Sequence, residues 1–232
     1  SVAKGVAVTA ASYGRILGAN ERIGLGVVGT GGRGTYVMTR FQQNADCEVR
    51  ALCDVYAQRI DNAQAKAPGT KTFGDHRKLL ELKEVDAVLV GTPDHWHAAV
   101  SIDAMNAGKD VYTEKPLCRT RDEAPLMVKA ARANERGWQV GVQQRSGPIY
   151  LEPLEKYVRA GRLGKISHID AVWHAGVPGP MKTEPAEKPT NLDWARFLGP
   201  VKWREWDPGQ YFNFRAYLDF NGGKMTDFGH HW

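Results

Sequence analysis

Ile23-Gly24-Leu25-Gly26-Val27-Val28-Gly29-Thr30-Gly31-Gly32-Arg33-Gly34 decides the fold. Its first half is an apolar run of strand length, its second half fits G-x-G-x-x-G, and a helical pattern from Thr35 to Gln43 follows at once. In that context Gly29 permits a tight turn, Gly31 lets the backbone approach a pyrophosphate, and Gly34 lets helix and strand pack closely. The helix N-terminus adds N–H donors and a positive dipole end. Glycine-rich turns are common, so the loop takes its meaning from Asp54, which ends the next apolar run, Glu48 to Cys53, twenty residues after Gly34. A carboxylate there accepts from ribose hydroxyls and repels a 2′-phosphate, favouring NAD over NADP. Otherwise Asp54 only opens the next helical turn.

Outward from this unit, short apolar runs alternate with helical patterns. A helix over Ala57 to Ala67 precedes a short one from Asp75, an N-cap, to Leu82. Strand Ala87 to Val90 ends in Gly91-Thr92-Pro93, and helix His95 to Ala107 stops at Gly108. Strand Asp110 to Thr113, helix Arg121 to Glu135 and strand Trp138 to Val142 complete the series. Repeated βα units predict an α/β fold, a doubly wound, mostly parallel Rossmann sheet over residues 22–145. The pattern changes near Arg145. Residues 146–232 read as the start of an α+β substrate or oligomerisation domain, with a helix over Leu151 to Ala160 and an alternating strand over Ile166 to His174.

Composition is ordinary for a globular protein, 42% hydrophobic and 25% charged. The net charge of +5 is spread along the chain, which argues against nucleic-acid binding. Cys47, Cys53 and Cys118 form no CxxC pair, and an odd count describes no disulfide framework. No stretch reaches 18 apolar residues, so no membrane span is expected. Residues 1–21 are rich in small side chains, and residues 1–20 carry no acidic ones. They read either as the remnant of an export signal of the twin-arginine type, which would place the protein in the periplasm, or as an N-terminal arm of a cytoplasmic protein.

With these motifs in place the chain resembles the glucose-fructose oxidoreductase and inositol dehydrogenase (Gfo/Idh/MocA) family. The resemblance rests on Gly29 to Gly34 with Asp54, on Thr92-Pro93-Asp94-His95-Trp96-His97, on Glu114-Lys115-Pro116, on Gly161-Arg162-Leu163-Gly164, and on Gly222 to His231. It covers Arg22 to Trp232, and Glu-Lys-Pro after a strand is its most specific element. The resemblance implies hydride transfer between a sugar or polyol carbon and the nicotinamide of NAD, in a homo-oligomer (dimer or tetramer). It also implies a catalytic set of Lys115 with Asp227 and His231. That family's second domain runs on for another hundred residues or so, so the chain is read as truncated.

The residues carry these roles on their own chemistry. Lys115 precedes Pro116 at the carboxyl edge of the sheet, where ligands of doubly wound folds bind, and an ammonium there can polarise a hydroxyl oxygen. Elsewhere it would be a surface lysine. Asp227 and His231 are four apart, on one helix face, so an imidazole can take the hydroxyl proton while the carboxylate orients it. Thr92, Pro93, His97 and Glu114 join the cofactor set with Lys115. Trp96, Gln144, Arg145, His174, Tyr211 and Arg215 are candidates for substrate contacts, although a first-turn Trp is as often a packing residue.

Three other readings compete. His95, His97, His230 and His231 offer imidazoles to a metal, but adjacent histidines project to different helix faces and no HExxH accompanies them, so no metal is expected. Some relatives in the family are glycosidases that recycle NAD through oxidation, elimination, hydration and reduction. The third reading is a non-catalytic NAD-binding fragment.

Overall fold

The structure, a computed structural model, describes residues 22–170, 172 and 186–229. Six parallel strands form one sheet in the order β3-β2-β1-β4-β5-β6: β1 Ile23–Val28, β2 Cys47–Cys53, β3 Lys71–Phe73, β4 Ala87–Val90, β5 Asp110–Glu114 and β6 Trp138–Gly141. The order reverses between β1 and β4, and there the carboxyl ends of the strands part to leave a crevice. Five helices cover the faces: α1 Gly32–Phe41, α2 Ala57–Gln64, α3 His76–Leu80, α4 His97–Asn106 and α5 Glu123–Ala133.

Alternation along the buried strands divides the core. Leu25, Val27, Leu52 and Leu89 pack with Val37, Met38 and Ile60 on one face. Val28, Ala51, Val88 and Val90 pack with Leu79, Val100, Met105 and Met127 on the other. A parallel sheet covered on both sides needs apolar residues at both parities, which is why its strands read as continuous hydrophobic runs.

Several elements differ from the sequence expectation. Strand β3 carries only three residues with one partner strand, too short for a periodic signal. The helix expected from His95 begins as a 3-10 turn, Asp94–Trp96, and becomes α-helical at His97. Over Leu151 to Ala160 there are two pieces: α6 Pro148–Pro153 and a π-helical turn, Leu154–Arg159. Pro153 has no N–H to give the regular ladder.

The strand expected over Ile166 to His174 is not formed in its described part, 166–170 and 172. Alternation marks a face, but a strand needs a neighbour to accept its hydrogen bonds, and among the described residues none lies beside it.

Residues 186–229 turn back onto the carboxyl edge of the sheet. Ala57 N donates to Asn191 O (3.1 Å) and Asp193 N to Val55 O (2.9 Å), beside a bridge between Tyr56 and Leu192. Three short helices follow: α7 Trp194–Leu198, α8 Pro208–Phe212 and α9 Lys224–Phe228. Leu192, Trp194, Phe197, Leu198, Tyr211 and Phe220 form a small core of their own against Val55 and Tyr56.

Candidate functional site

The glycine loop is built by contact. Gly29 has φ +87°, and a Cβ there would stand 2.5 Å from Thr92 N. A Cβ on Gly34 would meet Gly29 O at 1.9 Å, so α1 can approach β1 only over a glycine. The first turn of α1 opens toward the crevice behind Gly31, its N-cap, with no side chain capping it. That leaves backbone N–H groups to an anionic ligand.

Asp54 is buried at the end of β2. Its Oδ2 accepts from Thr30 N (2.8 Å) and Thr30 Oγ1 (3.3 Å), and its Oδ1 from Tyr56 N (3.0 Å). Burial pushes this carboxyl above its ordinary value, while Arg59 and these hydrogen bonds pull the other way. Oδ1, with one donor, retains a further acceptor position, and Asp54 lines the same pocket as Gly29, Gly31, Arg59, Thr92, Pro93 and Trp96. A glycine turn, exposed helix N–H groups and a carboxylate sharing one pocket fit a dinucleotide.

Arg33 and Glu114 join the loop to the end of β5. Arg33 Nε lies 2.9 Å from Glu114 Oε2 and its Nη2 3.0 Å from Oε1, a fork on a carboxylate that is 3% exposed. Beside it the Lys115–Pro116 peptide is cis. Lys115 Nζ donates to Asp227 Oδ1 at 2.6 Å and to Asp227 O at 2.8 Å, across 112 residues, with the two side chains only 11% and 10% exposed. Arg215 Nε stands 3.6 Å from the same Oδ1. Asp94, also buried, accepts from Asn221 Nδ2 at 2.8 Å; burial pushes its carboxyl up, opposed by His97 and Arg215.

Other expected residues are placed differently. His97 is committed to the backbone: Nδ1 meets Pro116 O and Nε2 meets Thr92 O at 2.9 Å. Both partners are acceptors, so a neutral imidazole, with a single N–H, donates to one of these carbonyls at a time. Trp96 lines the pocket, but its Nε1 donates to Phe197 O (2.9 Å) and its ring lies against Gly199. It is an anchor for residues 186–229.

Tyr211 shares the pocket with Asp54 and Arg59, of which Lys115 is not a lining residue. Gln144 accepts from the Tyr150 hydroxyl at 2.7 Å, and Arg145 is exposed in a 3-10 turn over Gln143–Ser146; among the described residues, neither shares a hydrogen bond or ion pair with Lys115 or Asp227. His174, His230 and His231 lie outside the described residues.

Arg59, Asp94 and Asn221 escaped the sequence reading. Arg59 carried a usable signal, a cation in the first helical turn after the β2 carboxylate. Asp94 and Asn221 carried none, because 127 residues separate them.

A 3-2-1-4-5-6 parallel sheet with a glycine turn into α1 and a carboxylate ending β2 defines a dinucleotide-binding Rossmann protein. Residues 23–142 match the model of the oxidoreductase family with an NAD-binding Rossmann fold, and residues 150–232 match the model of its C-terminal alpha/beta domain. The chain belongs to this family, the Gfo/Idh/MocA oxidoreductases.

It is 30% identical over 162 residues to Glycosyl hydrolase family 109 protein 1 of Shewanella sp. (strain MR-4), covering 66% of this chain and 35% of that protein. To Inositol 2-dehydrogenase 2 of Saccharopolyspora erythraea it is 32% identical over 157 residues, 66% of this chain and 46% of the relative. The crystal structure of the WlbA dehydrogenase from Bordetella pertussis in complex with NADH and UDP-GlcNAcA matches with TM-score 0.59 and 26% identity, over 63% of this chain and 42% of that one. This chain therefore spans under half the length of these relatives. No helix among the described residues is long and apolar enough to cross a membrane.

Proposed function

We propose that the whole protein is an NAD-dependent dehydrogenase of a sugar or polyol, with Lys115, Asp227 and His231 as its catalytic residues. NAD, when bound, supplies the nicotinamide that takes up or returns a hydride. Gly29 to Gly34 hold its pyrophosphate, and Asp54 its adenosine ribose, which favours NAD over NADP. Lys115 holds the oxygen of the reacting hydroxyl at the carboxyl edge of β5. Asp227 anchors that ammonium and orients His231, four residues on, which takes the hydroxyl proton. Arg215, beside Asp227, reaches a further substrate hydroxyl.

The observation that carries this reading is the 2.6 Å contact between Lys115 and Asp227, two residues 112 apart that meet at the ligand edge of the sheet. In the full-length protein, Lys115→Ala and His231→Ala should each lower turnover by roughly 10²-fold or more while leaving NAD affinity nearly intact. Asp227→Asn should be damaging as well, and His230→Ala milder. Stopped-flow cofactor reduction reads the step, and near-normal hydride transfer in the His231 variant would remove it from the role.

The family 109 glycosyl hydrolase among the relatives favours one second reading, a glycosidase that recycles its NAD. A screen of sugars, inositols and glycosides separates the two: net reduced cofactor marks a dehydrogenase, and hydrolysis products without it mark the glycosidase. Residues 1–21 are read either as an export-signal remnant or as an N-terminal arm, and cell fractionation separates the two. Exposed Ile149, Ile169 and Val172 are consistent with a subunit contact in a homo-oligomer, which light scattering on the full-length protein tests.

A further inference from the structure

Tyr211 is one of the buried polar side chains that this reading leaves without work. It sits in α8, whose first turn Asp207 caps by accepting from Gly209 N at 2.7 Å, and it is 3% exposed. Its ring is held by Phe197 (4.8 Å between centroids), Trp206 (5.8 Å) and Tyr56 (6.1 Å), with the Arg59 guanidinium 5.0 Å over its face. Yet its hydroxyl has no hydrogen-bond partner among the described residues. A buried hydroxyl left unpaired is a net cost to folding, and a phenylalanine would keep every one of those ring contacts. The hydroxyl therefore calls for a ligand.

The surroundings say which one. Tyr211 lines the pocket with Asp54 at the end of β2 and with Arg59, whose guanidinium lies against the Gly31 backbone. Asp54 matches ribose hydroxyls, and a cation beside the first turn of α1 matches a phosphate.

We propose that the Tyr211 hydroxyl donates a hydrogen bond to the adenosine-diphosphate half of the bound dinucleotide, at its ribose or the adjoining phosphoryl oxygen. Residues 186–229 thus form one wall of the cofactor site, and occupancy of the site stabilises their docking on the sheet. This rests on the NAD reading above. Tyr211, a candidate for sugar contact by sequence, becomes a cofactor residue.

The test is Tyr211→Phe in the full-length protein, with NAD, ADP-ribose and nicotinamide mononucleotide titrated by calorimetry. Affinity for NAD and for ADP-ribose should fall about fivefold to tenfold, the scale of one hydrogen bond. Binding of the mononucleotide should not change. Thermal stability of the ligand-free variant should be equal or higher, because no partner is lost. Amide exchange over residues 207–213 of the wild type should slow with ADP-ribose and not with the mononucleotide. Wild-type affinity for ADP-ribose in the variant, or a loss of ligand-free stability, overturns the proposal. A wild-type protein that binds neither NAD nor ADP-ribose fails earlier, on the NAD reading itself.

Discussion

In the Rossmann half Val27, Leu52, Leu89, Met105 and Met127 are at most about 1% exposed, whereas in residues 146–172 Ile149, Ile169 and Val172 stand 76%, 78% and 68% exposed. Both regions carry apolar residues at regular spacing. In the first, each strand face is covered by helices of the same sheet, so pattern and burial coincide. In the second, the pattern marks a face that nothing among the described residues covers. Residues 186–229 show a third case: with little periodicity, they bury Trp194, Phe197, Tyr211 and Phe220 by ring packing on the edge of the sheet. Periodicity thus reports which side of an element is apolar, and says nothing of what meets it.

This contrast can be broken most easily at Leu89, fully buried in β4. Leu89→Ala should cost about 2–5 kcal/mol of unfolding free energy by urea titration, through lost apolar transfer and a cavity. A cost under about 1 kcal/mol would mean that the sheet core is looser than its burial implies.

His95 tests the seam between the regions. Its Nε2 lies 2.7 Å from Phe197 O, and burial lowers its pKa to about 4. An unfolded histidine titrates near about 6.5, so between these values the unfolded chain binds more protons. The contribution is full above about pH 6.5 and is lost as pH falls toward 4, roughly 3 kcal/mol over the window. Denaturation at pH 7 and pH 4.5 should show the loss in the wild type and a flatter profile in His95→Gln.

Asp54 sharpens the comparison at the cofactor. Asp54→Ser should weaken NAD by about tenfold and narrow its advantage over NADP, as read by titrating each cofactor. Unchanged affinities for both would remove Asp54 from the ribose site. The smallest effect belongs to residues 146–172, where Ile169→Ser in this 232-residue chain should shift stability by no more than about 0.5 kcal/mol. A larger loss would reveal a contact that the exposure of Ile169 does not show.

Apart from the three-residue β3, the order of strands and helices up to Gly141, the glycine turn and the carboxylate after β2 were legible in the sequence because each depends on residues close together in the chain. That Lys115 and Asp227 share one site was legible only through a resemblance of motifs; no local rule joins two residues 112 apart. The failed strand over Ile166 to His174 marks the limit, since pairing belongs to two segments and the pattern to one. Tertiary structure alone decided that His97 serves the backbone, that Trp96 anchors residues 186–229, that Asp94 meets Asn221, and that Tyr211 stands beside Asp54 and Arg59. Each of these follows from where a distant segment comes to rest on the carboxyl edge, and that is set by the packing of whole elements.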